Sequence, residues 1–225
     1  VASPVSLAAI SMAGGVLHFS GGLPSRLPGD AVANAAVAKG WSPRRAECCG
    51  AVREDRPCSI GAAPAGGAAM VVRVWGDSHA QAFMPGVDLA AAQSGRAGLF
   101  AAHAACPPVR EIRRLPELHT CTAFNDSVWA LLKANTDLTL VILAARWPLS
   151  VEGTRAGAEA GASVRLDWAG RAENRPERND NASLFRAGLR QTVASLRATG
   201  RTVVLLGPVP EFGRNVPAVS ARAAL

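Results

Sequence analysis

The chemistry-bearing residue types of this chain gather in one tetrapeptide, Gly76-Asp77-Ser78-His79, directly after the apolar run Met70–Trp75. Glycine permits a tight turn out of a strand, and Ser78 then stands where a helix would begin. Free backbone N–H groups and the helix dipole favour negative charge at such a position. A serine hydroxyl there is exposed beside donors able to stabilise an oxyanion, the arrangement of a nucleophile. Asp-Ser is also a good helix cap, so on the tetrapeptide alone both readings stand. His79, one residue on, would point about 100° away on a helix and is a poor base for Ser78. His103 follows the next apolar run, His119 lies in a cysteine-flanked loop and His18 in an apolar leader.

The cysteines, Cys48, Cys49, Cys58, Cys106 and Cys121, show no Cys-x-x-Cys spacing and no nearby histidine set. That argues against zinc, and no metal or cofactor is expected. Two short loops, Cys48/Cys49 to Cys58 and Cys106 to Cys121, look like disulfide clips. Adjacent Cys48 and Cys49 cannot both bond Cys58; Cys49 is the expected partner, with Cys48 the alternative. Such clips belong to an oxidising compartment, buried free thiols being the alternative. The 225 residues, 49% hydrophobic and 18% charged, exclude a disordered tail. The +7 charge is almost all arginine, scattered along the chain, and aromatics are 5%. A nucleic-acid groove needs a basic track with stacking aromatics, so that class is excluded.

The elements that must position Ser78 read as strands alternating with helices. Apolar runs at Met70–Trp75, Ala97–Ala102, Leu138–Ala144 and Thr202–Gly207 predict strands, and helical spacing predicts helices over 78–93, 124–134 and 183–199. Continuous apolar strands separated by helices indicate a parallel sheet covered on both faces. The fold class is therefore α/β, a flavodoxin-like three-layer sandwich, with ligands expected beyond the carboxyl ends of the strands. The strand ends carry Gly76–His79, His103–Cys106, Arg146-Trp147 and Pro208–Glu211. Residues 148–181 read as an exposed insertion, and 20–66 as an irregular linker with a cysteine-clipped loop. Val1–Phe19 is almost continuously apolar and uncharged, the end of a transmembrane helix or an apolar leader. Three segments result: 1–20, a linker over 21–68, and an α/β domain over 69–225.

The wider pattern resembles a known family. Trp75-Gly76-Asp77-Ser78-His79-Ala80 is similar to the nucleophile block of SGNH-type (GDSL-like) hydrolases and acyltransferases. Together with Cys106-Pro107-Pro108, Cys121, Phe124-Asn125, Leu143–Trp147 and Gly207–Glu211, it resembles the SGNH domain fused to membrane acyltransferase-3 proteins, which acylate cell-surface sugars. The resemblance implies that Ser78 takes an acyl group and passes it to a sugar hydroxyl or to water. It implies an acyl donor delivered by a membrane acyltransferase domain, a cell-surface glycan acceptor, and membrane attachment through the N-terminal segment. It also implies a place at the inner membrane facing the periplasm or extracellular side, with no nucleic-acid partner.

The sequence departs from that family in three respects. The family's base and carboxylate come from a C-terminal Asp-x-x-His, and none occurs here after Ser78. The expectation is that the C-terminal part of the domain is missing and that the fragment alone is inactive. Where SGNH hydrolases place a Gly and an Asn as oxyanion donors, Ala104-Ala105 and Arg146-Trp147 stand instead. The candidate oxyanion or substrate-binding set is therefore Gly76, Asp77, Ala105, Asn125, Arg146 and Trp147, around the catalytic Ser78. Arg146 would bind an anion or pair with an acidic neighbour; Trp147 would stack on a sugar or pack the insertion. The rival readings are a secreted SGNH esterase or deacetylase, and a non-catalytic glycan-binding module.

Overall fold

The structure, a computed structural model, describes residues 4–37, 40, 44, 48, 58–62, 69–116, 119–157 and 159–225. Along the chain run helices α1 (Pro4–Phe19) and α2 (Gly29–Val37), then strands β1 (Cys58–Gly61) and β2 (Ala69–Gly76). Helix α3 (Ser78–Gln93), strands β3 (Arg96–Ala102) and β4 (Ile112–Leu115), helix α4 (His119–Ala134) and strand β5 (Leu140–Ala144) follow. The remainder is α5 (Trp147–Glu152), β6 (Arg165–Trp168), α6 (Asn181–Ala198), β7 (Thr202–Leu206) and α7 (Val216–Ala223). The chain forms two compact units, one of Val1–Trp41 with Phe212–Leu225 and one of Ser42–Glu211.

The larger unit is built on a five-stranded sheet of order β1-β3-β2-β5-β7. β3, β2, β5 and β7 run parallel, as their apolar runs predict. β1 is antiparallel to β3, which makes the sheet mixed. This edge strand was hidden in the stretch read as irregular, because four residues carry too little periodicity to register.

Side-chain alternation along the strands divides the core into two layers. On one face Val72, Val74, Phe100 and Ala102 pack against Ala80 and Met84 of α3. On the other, Trp75, Leu99, Val141 and Leu143 meet Phe124, Val128 and Leu132 of α4 and Leu196 of α6. Helices on both faces of a mostly parallel sheet give the three-layer α/β fold expected. Arg73 shares the second face with Trp75 and is only 1% exposed. Its Nε, Nη1 and Nη2 have no hydrogen-bond partner among the described residues, and burial pushes its guanidinium down to about 10.

Residues 148–181 depart from the expectation of an exposed insertion. β6 pairs antiparallel with β4, and Val164, Leu166 and Trp168 are buried with Ile112, Leu149, Leu184 and Phe185 in a third apolar cluster. Gly and Arg content suggested exposure, but each buried residue is separated by polar ones, so no apolar run marks them.

In the smaller unit α2 and α7 pack together. α1, whose sixteen residues include none buried, ends where Gly21 and Gly22 take positive φ angles. No helix among the described residues is long and apolar enough to cross a membrane.

Cys58 bonds Cys48 (Cα–Cα 5.1 Å) and Cys106 bonds Cys121 (5.4 Å), both within ordinary disulfide reach. The first pairing corrects the choice of Cys49, which lies outside the described residues. With Cys58 committed to Cys48, a Cys49–Cys58 bond has no sulfur left.

Candidate active site

The turn that carries Ser78 is set by packing at Gly76. A Cβ there would run into the Ala144 carbonyl and the Ala80 side chain, so only glycine lets β2 leave the sheet this close to β5. Asp77 follows in an extended conformation and caps α3 through Oδ1, which accepts from His79 N–H at 2.8 Å. Its Oδ2 accepts from Arg146 N–H at 2.9 Å, tying the turn to the end of β5. Burial pushes the Asp77 carboxyl up, against the two N–H groups that favour its charge. The cap and the exposed serine are thus one structure: Asp77 supplies the cap, and Ser78 is left exposed as the first residue of the helix.

Ser78 Oγ has no hydrogen-bond partner among the described residues, so no histidine holds it there. Beside it, His103 N–H donates to the Gly76 carbonyl at 3.1 Å and anchors the turn 103–106 to the turn that carries Ser78. Ala105 in that turn has φ 62°, the left-handed region that favours glycine. His103 Nδ1 lies 3.1 Å from the Ala104 carbonyl oxygen and 3.2 Å from Cys106 Sγ. The Cys106–Cys121 bond then fixes the far end of the turn to α4.

Arg146 is held by two carboxylates. Its Nε and Nη2 donate to Glu211 at 3.0 and 2.5 Å, and its Nη1 and Nη2 to Glu159 at 2.9 and 2.6 Å. The guanidinium holds Glu211 and Glu159 below the ordinary carboxylate range, and the same bonds raise Arg146 above its own. Glu159 also accepts from Arg155 Nε at 3.1 Å. A groove of about 370 Å³, lined by Pro148, Glu152, Pro208 and Glu211 among others, lies along this rim.

Gly76, Asp77, Ser78, Ala105 and Arg146 therefore come together at the carboxyl ends of β2, β3 and β5. Two other candidates serve packing. Asn125 is 4% exposed, accepts from Trp75 Nε1 at 2.9 Å and donates to the Pro107 and Val109 carbonyls. Both its amide hydrogens are spent, which leaves none for a substrate oxyanion. Trp147 donates Nε1 to the Leu206 carbonyl at 2.6 Å and meets Phe185 edge to face, so its ring packs the sheet end. Arg146 likewise pairs with acidic neighbours. Arg114, Arg155 and Glu159 also reach this rim, from segments whose sequence carries no periodic signal, and Glu211 comes from the strand-end motif Pro208–Glu211.

An α/β sheet of this kind, with an exposed serine opening the helix after a central strand, defines a serine-hydrolase-like class. Residues 45–225 match the family model of the SGNH domain (fused to AT3 domains). The chain belongs to that family, whose hydrolase-like fold supports esterase- or acyltransferase-type activity in general and an acyltransferase-associated module. No curated protein and no solved structure matches the chain.

Proposed function

We propose that this is the extracytoplasmic module of a membrane-bound O-acyltransferase, which passes an acyl group, acetyl by family resemblance, to a cell-surface polysaccharide through an acyl-serine at Ser78. The observation that carries the reading is the exposed Ser78 hydroxyl at the first residue of α3, on the rim it shares with Ala105 and Arg146. The Ser78 oxygen attacks the donor's acyl carbonyl, its proton passes to a base, and the base returns that proton to the donor's leaving group as it departs. An acceptor hydroxyl then attacks the acyl-serine, its proton goes to the freed base, and the base hands it to the Ser78 oxygen as the acyl–serine bond breaks. Both tetrahedral intermediates carry an oxyanion, for which the Ser78 and Ala105 N–H groups are the donors, since neither is bonded to a described residue.

No described histidine is bonded to Ser78. His79 follows Ser78 on the helix and His103 faces the Ala104 carbonyl and Cys106, so neither is placed to take its proton. The disulfides support an oxidising, extracytoplasmic setting. Replacing Ser78→Ala in the complete membrane protein is expected to abolish acylation of the surface polysaccharide, read by ester analysis of the purified glycan. Acylation at the wild-type level in that variant would reject the acyl-serine.

A further inference from the structure

We propose that the saccharide handled at this rim is acidic, and that Arg114 binds its carboxylate or phosphate beside Ser78. The proposal rests on the Ser78 reading above and adds a substrate class to it. Arg114 comes from β4, in the two-stranded antiparallel sheet that β4 forms with β6 outside the main sheet. Its half-buried side chain reaches the nucleophile end, where Nη1 donates to the Ala105 carbonyl at 3.0 Å. That carbonyl belongs to the left-handed turn whose His103 N–H is bonded to Gly76. One edge of the guanidinium is thus pinned two short links from the serine.

The rest of the Arg114 fork has no partner among the described residues, and no carboxylate among them forms an ion pair with it. Its neighbour Arg113, by contrast, bonds Asp167 at 2.7 Å. The acidic group closest in electrostatic effect is Asp77, whose two oxygens are already taken by the His79 and Arg146 N–H groups. The other charged neighbour is Arg155, a like charge, and Glu159 and Glu211 are committed to Arg146 and Arg155. An arginine partly removed from water, beside a second cation and without an acid of its own, is arranged for an anion that arrives with the substrate. The planar fork suits bidentate recognition of a carboxylate or phosphate, which a lysine cannot reproduce.

Calorimetric titration at low salt, with three tetrasaccharides, tests this: one alternating glucuronic acid and N-acetylglucosamine, one of mannose 6-phosphate, and neutral cellotetraose. At least one acidic ligand is expected to bind ten-fold or more tightly than the neutral one, and which of the two does so identifies the anion as carboxylate or phosphate. Arg114→Gln should bring the preference within two-fold, Arg114→Lys should restore only part of it, and Arg113→Gln, with the same change in net charge, should leave it intact. Equal affinity for all three ligands, no binding of any at millimolar concentration, or equal loss in Arg113→Gln and Arg114→Gln would overturn the proposal. Ser78→Ala should bind as the wild type does, so the outcome is separate from that of the acylation experiment.

Discussion

Ser78 and Arg73 sit five residues apart in β2 and its turn, and show opposite uses of a polar side chain. Ser78 is placed in water by a turn that Gly76 makes possible and Asp77 holds. Arg73 is sealed under the sheet with three nitrogens unbonded to any described residue. A guanidinium still charged at neutral pH, buried without hydrogen bonds, costs several kcal/mol against its solvated state. Replacing Arg73→Met keeps an unbranched apolar stem and removes the charged guanidinium. The variant is expected to be more stable by about 1–4 kcal/mol, seen as a higher midpoint in urea unfolding. A lower midpoint would mean that Arg73 has a partner in the folded protein.

At the level of elements, two cross-links position the strand-end turns. The first is the Arg146–Glu211 pair, which joins the start of α5 to the segment after β7. Both side chains are mostly shielded (15% and 18% exposed), so the pair keeps some value against solvent screening. Glu211→Gln should cost about 1 kcal/mol at pH 7. Because folding lowers the Glu211 pKa, this contribution is present above the unfolded value and vanishes as pH falls through the lowered folded one. Wild type and variant should therefore converge in thermal midpoint in acid; a gap unchanged at low pH would exclude the charged pair as its source. The raised Asp77 has the opposite sign, its ionisation opposing folding as pH rises, so the subtraction between the two proteins is the quantity to read.

The second cross-link is Cys106–Cys121, with a sequence separation of 15. Closing a loop of that length is worth about 3 kcal/mol through the unfolded chain. Non-reduced peptide mapping should link Cys106 to Cys121 and Cys48 to Cys58, and reduction should lower stability by that order. Free thiols at 106 and 121 would remove the anchor assigned to the Ala105 turn.

For the whole molecule, activity depends on whether Ser78 meets a base. With no base placed on Ser78 among the described residues, the 225-residue chain should hydrolyse 4-nitrophenyl acetate no faster than its Ser78→Ala variant. A robust, Ser78-dependent rate would show that a base is reached within these residues and would favour a free-standing esterase.

The amino-acid order was sufficient for the four parallel strands, the three helices that cover them and the turn bearing Ser78. Long apolar runs and a Gly-Asp-Ser cap are local signals, readable without neighbours. The role of Asn125 was not readable, because an amide near a helix start looks the same whether it faces substrate or clamps Trp75. Nor was the choice of Cys48 over Cys49, since adjacent cysteines differ only in the direction their side chains take. Arg114 reaches Ala105 only because β4 pairs with β6 across more than fifty residues, and pairing over such a separation leaves no trace in local spacing. Propensity and periodicity act between near neighbours; which carboxylate meets which guanidinium is decided when distant segments are packed into the same volume.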